Sequence, residues 1–250
     1  MEPVYSSVIS FAMGVFKAQG LRFTWTGTQH IPRTGGAVVA MNHISYMDFA
    51  YAGYPAKDAG RLVRFMAKKE VFDHAISGPL MRGMKHIPVD RAAGAGAYRE
   101  AVAALRGGEL VGVFPEATIS RSFELKEFKS GAARMAQEAG VPIVPMVLWG
   151  SQRVWTKDHP RRLGRTKVPI ALRIGEPIPV PVDADIDQIT AELHRAMEAM
   201  LHEVQAGYEP MTGDDAVYLP ARLGGAAPTP ERAKELDQQE LAERRRRKAG

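Results

Sequence analysis

A histidine and an aspartate five residues apart carry the clearest chemistry in this sequence. They lie in Asn42-His43-Ile44-Ser45-Tyr46-Met47-Asp48, directly after the apolar run Ala37-Val38-Val39-Ala40-Met41. That run reads as a buried strand. A histidine at a strand end sits where α/β sheets commonly place ligands and catalytic groups. Asp48, folding back across a tight strand-to-helix turn, would accept a hydrogen bond from one ring nitrogen and leave the other free as a base. Such a pair needs no protein serine if a substrate hydroxyl is the nucleophile. The plainer alternative is that Asp48 is only an acidic residue at a helix N-terminus.

The elements that must position this pair alternate along the chain. Strands are expected over residues 22–26, 37–41, 62–66, 110–114, 141–148 and 168–174, with a short extended piece at 85–89. Helices are expected over 4–18, 46–54, 97–106, 131–139 and 186–204, the two central ones ended by Gly107-Gly108 and Gly140. Alternation of this kind predicts an α/β domain. Pro142 and Pro145 put their strand at a sheet edge or a strand start. The chain divides into a moderately amphipathic N-terminal helix (residues 1–20), an α/β domain (21–205) and a tail (206–250). The tail is dense in charge from Glu231, poor in large apolar residues, and expected to be loose or solvent-exposed.

Three further segments follow the histidine block in order. They are Gly83-Met84-Lys85-His86-Ile87-Pro88-Val89-Asp90-Arg91, Phe114-Pro115-Glu116-Ala117-Thr118-Ile119-Ser120 and Val141-Pro142-Ile143-Val144-Pro145. Together with N-H-x-x-x-x-D they resemble the four blocks of the glycerolipid acyltransferase family, the 1-acylglycerol-3-phosphate acyltransferases. Gly27, Ile31 and Pro32 upstream and Lys126-Glu127-Phe128-Lys129-Ser130-Gly131 downstream are similar to that family as well. The resemblance covers residues 20–180.

The resemblance implies a mixed central sheet flanked by helices. It also implies an enzyme of phospholipid biosynthesis. A fatty acyl group would pass from acyl-CoA or acyl carrier protein to a hydroxyl of lysophosphatidate, with no metal or tightly bound cofactor. His43 is similar to the family's general base and Asp48 to the group that orients it. Arg91 resembles the arginine that holds the acceptor's phosphate; its plain alternative is a surface pair with Asp90, worth little. Glu116 resembles the glutamate that shapes the acceptor site, and otherwise reads as a helix N-terminal carboxylate. Asn42, Thr118, Ser120, Arg121 and Lys129, within or beside the blocks, complete the implied substrate-binding set.

The third block departs from the family's usual E-G-T-R-S. Ala117 replaces the glycine and Ile119 the arginine that normally helps to bind phosphate. Arg121, Lys126 or Lys129 would have to substitute, or the acceptor is another lysophospholipid or a glycolipid. A reading from a different class is a non-catalytic membrane-binding module that keeps the fold.

Composition narrows the alternatives. The 250 residues hold 33 Lys+Arg against 28 Asp+Glu, a net charge of +5, with 45% hydrophobic residues. This is ordinary for a globular domain, and the basic balance suits anionic partners. The absence of cysteine excludes a thiol nucleophile and a Cys-ligated metal site. There is no G-x-S-x-G, G-x-x-x-x-G-K-[ST] or H-E-x-x-H, and Gly94 and Gly96 lack the third glycine of a dinucleotide fingerprint. The remaining histidines (His30, His74, His86, His159, His194, His202) show no metal spacing.

No secretory signal is evident at Met1-Glu2-Pro3. The early uncharged stretch Pro3–Phe16 is shorter than the roughly 20 residues a spanning helix needs. Val4, Val8, Phe11, Val15 and Phe16 define one face of the first helix. That face either packs on the core or lies on a membrane surface. The basic segment 153–167, with Trp155, reads as a solvated loop or as a loop facing membrane or phosphate. No nucleic-acid fold signature accompanies it. The Arg244–Lys248 run would bind an anionic surface at about 1 kcal/mol per basic residue, or serve only as a solubilising end. Together these features imply a peripheral protein at the cytoplasmic face of a membrane.

Overall fold

The computed structural model describes residues 2–90 and 94–249. Helix α1 (Pro3–Ala18) leads into β1 (Arg22–Thr26), β2 (Ala37–Met41), α2 (Asp48–Asp58), β3 (Val63–Lys68), α3 (Lys69–Asp73), α4 (Ser77–Gly83) and β4 (Ile87–Val89). Then come α5 (Gly94–Arg106), β5 (Leu110–Val113), α6 (Gly131–Ala139), β6 (Ile143–Trp149), β7 (Pro169–Ile174), α7 (Ile186–Ala206) and α8 (Pro230–Ala249). The strands form one seven-stranded sheet in the order β1-β7-β6-β2-β5-β3-β4. Every neighbouring pair is parallel except β6 and β7, so the sheet is mixed, as the resemblance implies.

Both faces of the sheet are covered, which explains why its central strands are apolar throughout rather than alternating. Val38 and Ala40 of β2 and Ile143 and Val147 of β6 pack under α5, α6 and α7. Ala37, Val39 and Met41, with Val144, Met146 and Leu148, face the other way, against Phe16 of α1 and Tyr51, Ala52 and Ala56 of α2. The first helix therefore packs on the core through Tyr5 and Phe16, while Phe11 stays 76% exposed. Tyr5 also donates to the Val63 carbonyl at 2.7 Å.

The fourth-block strand is not at an edge. β6 is interior, between β7 and β2. Pro142 does precede the strand, but Pro145 is its third residue. It is tolerated because the β6–β7 ladder begins one residue later, at Met146 opposite Ile174. The Pro145 carbonyl points past that ladder and accepts from Gly175 N at 2.9 Å. The side on which its amide hydrogen is missing lies beyond the end of β7.

The tail is more ordered than its composition predicts. Short 3-10 turns at Gly213–Tyr218 and Ala221–Leu223 precede α8. The tail builds no core of its own. Met211, Tyr218 and Ala227 add to the cluster under α7. Arg153 reaches Glu209 at 3.0 Å and Asp215 at 2.6 Å, and Arg162 reaches Asp215 at 2.7 Å. Charge that reads as solvated in the sequence is paired with the α/β domain.

β2, β5 and β6 are adjacent and parallel, so their carboxyl ends deliver three loops to one end of the sheet. The loop after β6 turns at Gly150, whose φ is +94°. A Cβ there would lie 2.1 Å from the Pro169 carbonyl oxygen and 2.6 Å from the Tyr208 hydroxyl. Gly150→Ala should therefore destabilise the fold by more than the about 1–2 kcal/mol of left-handed strain alone. Chemical denaturation checks this, and an unchanged midpoint contradicts it.

Candidate active site

His43 leaves the central strand β2 through a turn that Asn42 makes possible. The Asn42 amide accepts from Leu148 N at 2.7 Å and donates to the Leu148 carbonyl at 3.0 Å. Its side chain thus continues the β2–β6 ladder where the main chain departs. Asn42 is fully buried and does not line the cleft described below.

Asp48, the first residue of α2, has no exposed surface and accepts at both oxygens. Its Oδ2 takes Ile44 N and Ser45 N, each at 2.8 Å, and lies 3.0 Å from His43 Nδ1. Its Oδ1 takes the Ser151 hydroxyl at 2.6 Å. A carboxylate offers no proton, so Nδ1 is the donor and Nε2 carries the free lone pair. The His43 ring stacks on Phe114 with centroids 4.1 Å apart, and its side chain is 20% exposed. The ring is held from one side and open on another, as a base serving an external hydroxyl must be.

The third block clamps the main chain of the same histidine. Glu116 Oε1 accepts from His43 N at 2.8 Å and Oε2 from Lys126 N at 3.1 Å. Ser120 N donates to the His43 carbonyl at 2.7 Å. Burial pushes Glu116 up to about 8, outweighing the two main-chain donors and the Lys126 charge that favour its ionised form. Ala117 holds a φ of +60°, the left-handed region in which a Cβ costs about 1–2 kcal/mol. The family's usual glycine at this place would carry no such cost.

Beside this loop lies a cleft of about 660 Å³, walled by Glu116, Ala117, Thr118, Lys126 and Lys129 on one side and by α8 on the other. Thr118 Oγ1 accepts from Lys126 Nζ at 2.6 Å. Ser120 is buried, with its hydroxyl donated to the Glu124 carbonyl at 2.7 Å, and does not line the cleft. Ile119 is buried too. Arg121 is only 9% exposed and is paired with Asp158 at 2.5 Å, Glu240 at 2.9 Å and Asp237. Arg91 lies outside the described residues. Among the described residues no group of three or more His, Asp or Glu side chains converges to hold a metal ion.

Two features escaped sequence reasoning. Ser151 stands 103 residues from Asp48, and only the polar step Ser151-Gln152 after an apolar strand marks it. The same loop also fastens the histidine block elsewhere. Ser45 Oγ donates to the Trp155 carbonyl and Thr156 Oγ1 to the Ile44 carbonyl, both at 2.7 Å. The basic segment 153–167 is thus partly a structural brace. Arg153 is buried in its ion pairs, and Arg161 stacks on Trp155 at 4.4 Å. The second feature is α8 itself.

Glu116 gives a pH signature. Its folded value of about 8 lies above that of an unfolded glutamate, so the folded state binds the extra proton. Stability falls as pH rises from the ordinary carboxylate range toward 8. Glu116→Gln, which cannot ionise, should flatten that decline. Denaturation midpoints between pH 5 and 8 test this, and equal slopes for both proteins contradict it.

Comparison with known proteins identifies the family. The sequence model of a family described as "Acyltransferase" matches residues 22–149. A 1-acyl-sn-glycerol-3-phosphate acyltransferase of Limnanthes douglasii is 29% identical over 198 residues, covering 77% of this chain and 66% of that protein. One of Bacillus subtilis (strain 168) is 32% identical over 126 residues, covering 49% of this chain and 60% of that protein. The chain thus spans just under two thirds of the length of these curated relatives. The crystal structure of the 1-acyl-sn-glycerophosphate (LPA) acyltransferase PlsC from Thermotoga maritima superposes with a TM-score of 0.68 at 22% identity, covering 82% of this chain and 81% of that one. That likeness shows a shared fold. The family match spans more than half of the sequence and contains His43, Asp48 and the third block, and on that ground this chain belongs to the acyltransferase family.

Proposed function

We propose that the protein moves a fatty acyl group from an acyl thioester, acyl-CoA or acyl-acyl carrier protein, to a hydroxyl of lysophosphatidate. The observation that carries the reading is the His43–Asp48 pair, fixed at both aspartate oxygens, with the histidine side chain 20% exposed. His43 Nε2 takes the acceptor's proton as its oxygen attacks the thioester carbonyl. The tetrahedral intermediate then collapses, the C–S bond breaks, and the thiolate leaves with the proton returned by His43. Asp48 holds the ring in one tautomer and stabilises the imidazolium that forms between these steps. General-base help of this kind is worth about 10²–10⁴-fold. Lysophosphatidate is taken from the names of the relatives in Limnanthes douglasii and Bacillus subtilis.

A second reading of the acceptor is favoured by Ile119. An apolar, buried side chain stands where the family's phosphate-binding arginine is usual. Another lysophospholipid or a glycolipid would fit a site without that arginine.

Both acceptors partition into bilayers, so we place the protein peripherally on a membrane surface, at the cytoplasmic face. The described residues include no helix long and apolar enough to cross one. Val4, Phe11 and Val15 of α1 are exposed, as are Ile76 beside α4 and Leu80 within it, and α1 and α4 are in contact. Replacing Phe11 and Ile76 together by Asp should lower partition into anionic liposomes in a flotation assay without changing the thermal midpoint. Equal partition would remove this face from the reading.

The activity itself is tested with palmitoyl- and oleoyl-CoA against lysophosphatidate, other lysophospholipids and glycolipids, with products read by mass spectrometry. His43→Ala should lower transfer by about 10²-fold or more, and Asp48→Asn should lower it with the fold intact. Product from lysophosphatidate at the wild-type rate in His43→Ala would refute the role of His43. Product only from another acceptor would keep the chemistry and reassign the substrate.

A further inference from the structure

Helix α8 turns two acids, one helical step apart, onto three cations of the α/β domain. Asp237 pairs with Arg121 and Lys126 and lies 3.6 Å from Lys157; Glu240 pairs with Arg121 at 2.9 Å and Lys157 at 3.0 Å. The cations come from two separate loops, after β5 and after β6; Lys126 and Lys157 line the 660 Å³ cleft, and Arg121 joins them behind the same two α8 acids. We infer that Arg121, Lys126 and Lys157 form an oxyanion site for a phosphate monoester, and that Asp237 and Glu240 fill it as internal counter-anions until a ligand displaces them. The placement of this site beside an acyl-transfer centre rests on the function proposed above; the anion site itself does not.

Charge matching specifies the ligand. Arg121 keeps Asp158 at 2.5 Å as its own partner. Without α8, the three cations and Asp158 leave two positive charges uncompensated. Two α8 carboxylates balance them, and so does a phosphate monoester, which carries about −1.5 to −2 near neutral pH. A phosphodiester carries one charge and leaves one cation unpaired. Arg121 contributes the planar fork that suits phosphate, and Thr118 adds a hydroxyl on Lys126. The buried Glu116 in the same wall is raised to about 8 and adds little negative charge at neutral pH.

The helix is built to leave. Ala233 is buried, but Leu241 is 51% exposed, so little apolar area is lost on release. Burial opposes the ionisation of Glu240, yet Lys157 and Arg121 hold it down to about 2. The helix is therefore retained by ion pairs that an incoming dianion can replace one for one. Arg244 lines the cleft next to Glu240 and lies in the basic run at the end of the same helix.

The test uses the full chain and needs no acyl transfer. Calorimetry at fixed ionic strength measures binding of inorganic phosphate, glycerol 3-phosphate, glycerophosphocholine, CoA and dephospho-CoA. Asp237→Asn with Glu240→Gln should tighten binding of the monoesters at least tenfold and leave glycerophosphocholine unchanged. Adding Lys157→Met should reverse the gain. Tightening for glycerol 3-phosphate assigns the site to the acceptor; tightening for CoA but not dephospho-CoA assigns it to the donor. Glu192→Gln with Glu198→Gln, the same charge change on the exposed face of α7, is the control. An equal gain in that control, or no gain in the α8 variant, overturns the inference. If the α8 variant does not fold, hydrogen exchange on the wild type decides. Amides of residues 230–247 should exchange faster with saturating glycerol 3-phosphate or CoA, and unchanged or slower exchange with both overturns the inference. If His43→Ala abolishes transfer while phosphate binding is unaffected by α8, the function stands and this inference falls.

Discussion

A carboxylate with no exposed surface must find all its hydrogen bonds inside the protein, and Asp48 finds four. Leaving such a group short of partners costs several kcal/mol. The need to satisfy it dictates much around it. Two donors are main-chain amides of the turn between β2 and α2, so the turn closes on the side chain. A third comes from Ser151, so the loop after β6 must sit over α2. The fourth is the ring of His43, whose orientation is thereby settled from behind. Glu116 and Ser120 then hold the main chain of the same histidine from the loop after β5. Three loops at the carboxyl ends of three parallel strands are joined around the His43–Asp48 pair, which is a stricter arrangement than any of their sequences requires alone.

What the sequence made legible was local. The alternation of strands and helices, the buried runs at Ala37–Met41 and Leu110–Val113, and the His43–Asp48 hydrogen bond all follow from periodicity or from groups five residues apart. What stayed hidden was contact between distant segments. Ser151 and Asp48 are 103 residues apart, and nothing in composition links a serine after one strand to an aspartate after another. Pro142 and Pro145 suggest a sheet edge or a strand start, because strand prolines are normally confined to those places. Only the register of β6 with β7 shows why an interior position tolerates Pro145. Ala117 was visible as a departure from a glycine pattern, and its positive φ shows why glycine is the usual residue there.

The tail gives the sharper lesson. Low apolar content argues against an independent core, and none forms. It does not argue against docking by charge. The charge-dense tail reads as loose or solvent-exposed because a sequence shows charges such as Asp237 and Glu240 without their partners. Arg121, one of three candidates with Lys126 and Lys129 to replace the missing phosphate ligand, likewise shows its carboxylate partners only in the fold. The three residues make sense once seen against each other: the domain carries a cationic cluster, and α8 answers it.

The sheet order has a consequence for how the chain is made. β1 has one neighbour, β7, and its register partners lie some 145 residues later, from Arg22 opposite Pro169 to Thr26 opposite Arg173. At synthesis rates of about 5–20 residues per second, that edge strand waits roughly 7–30 s before its partner exists. Helix α1 need not wait with it, since Phe16 also packs on Tyr51 of α2, with ring centroids 5.0 Å apart. The edge strand therefore joins the sheet only after most of the domain has been made.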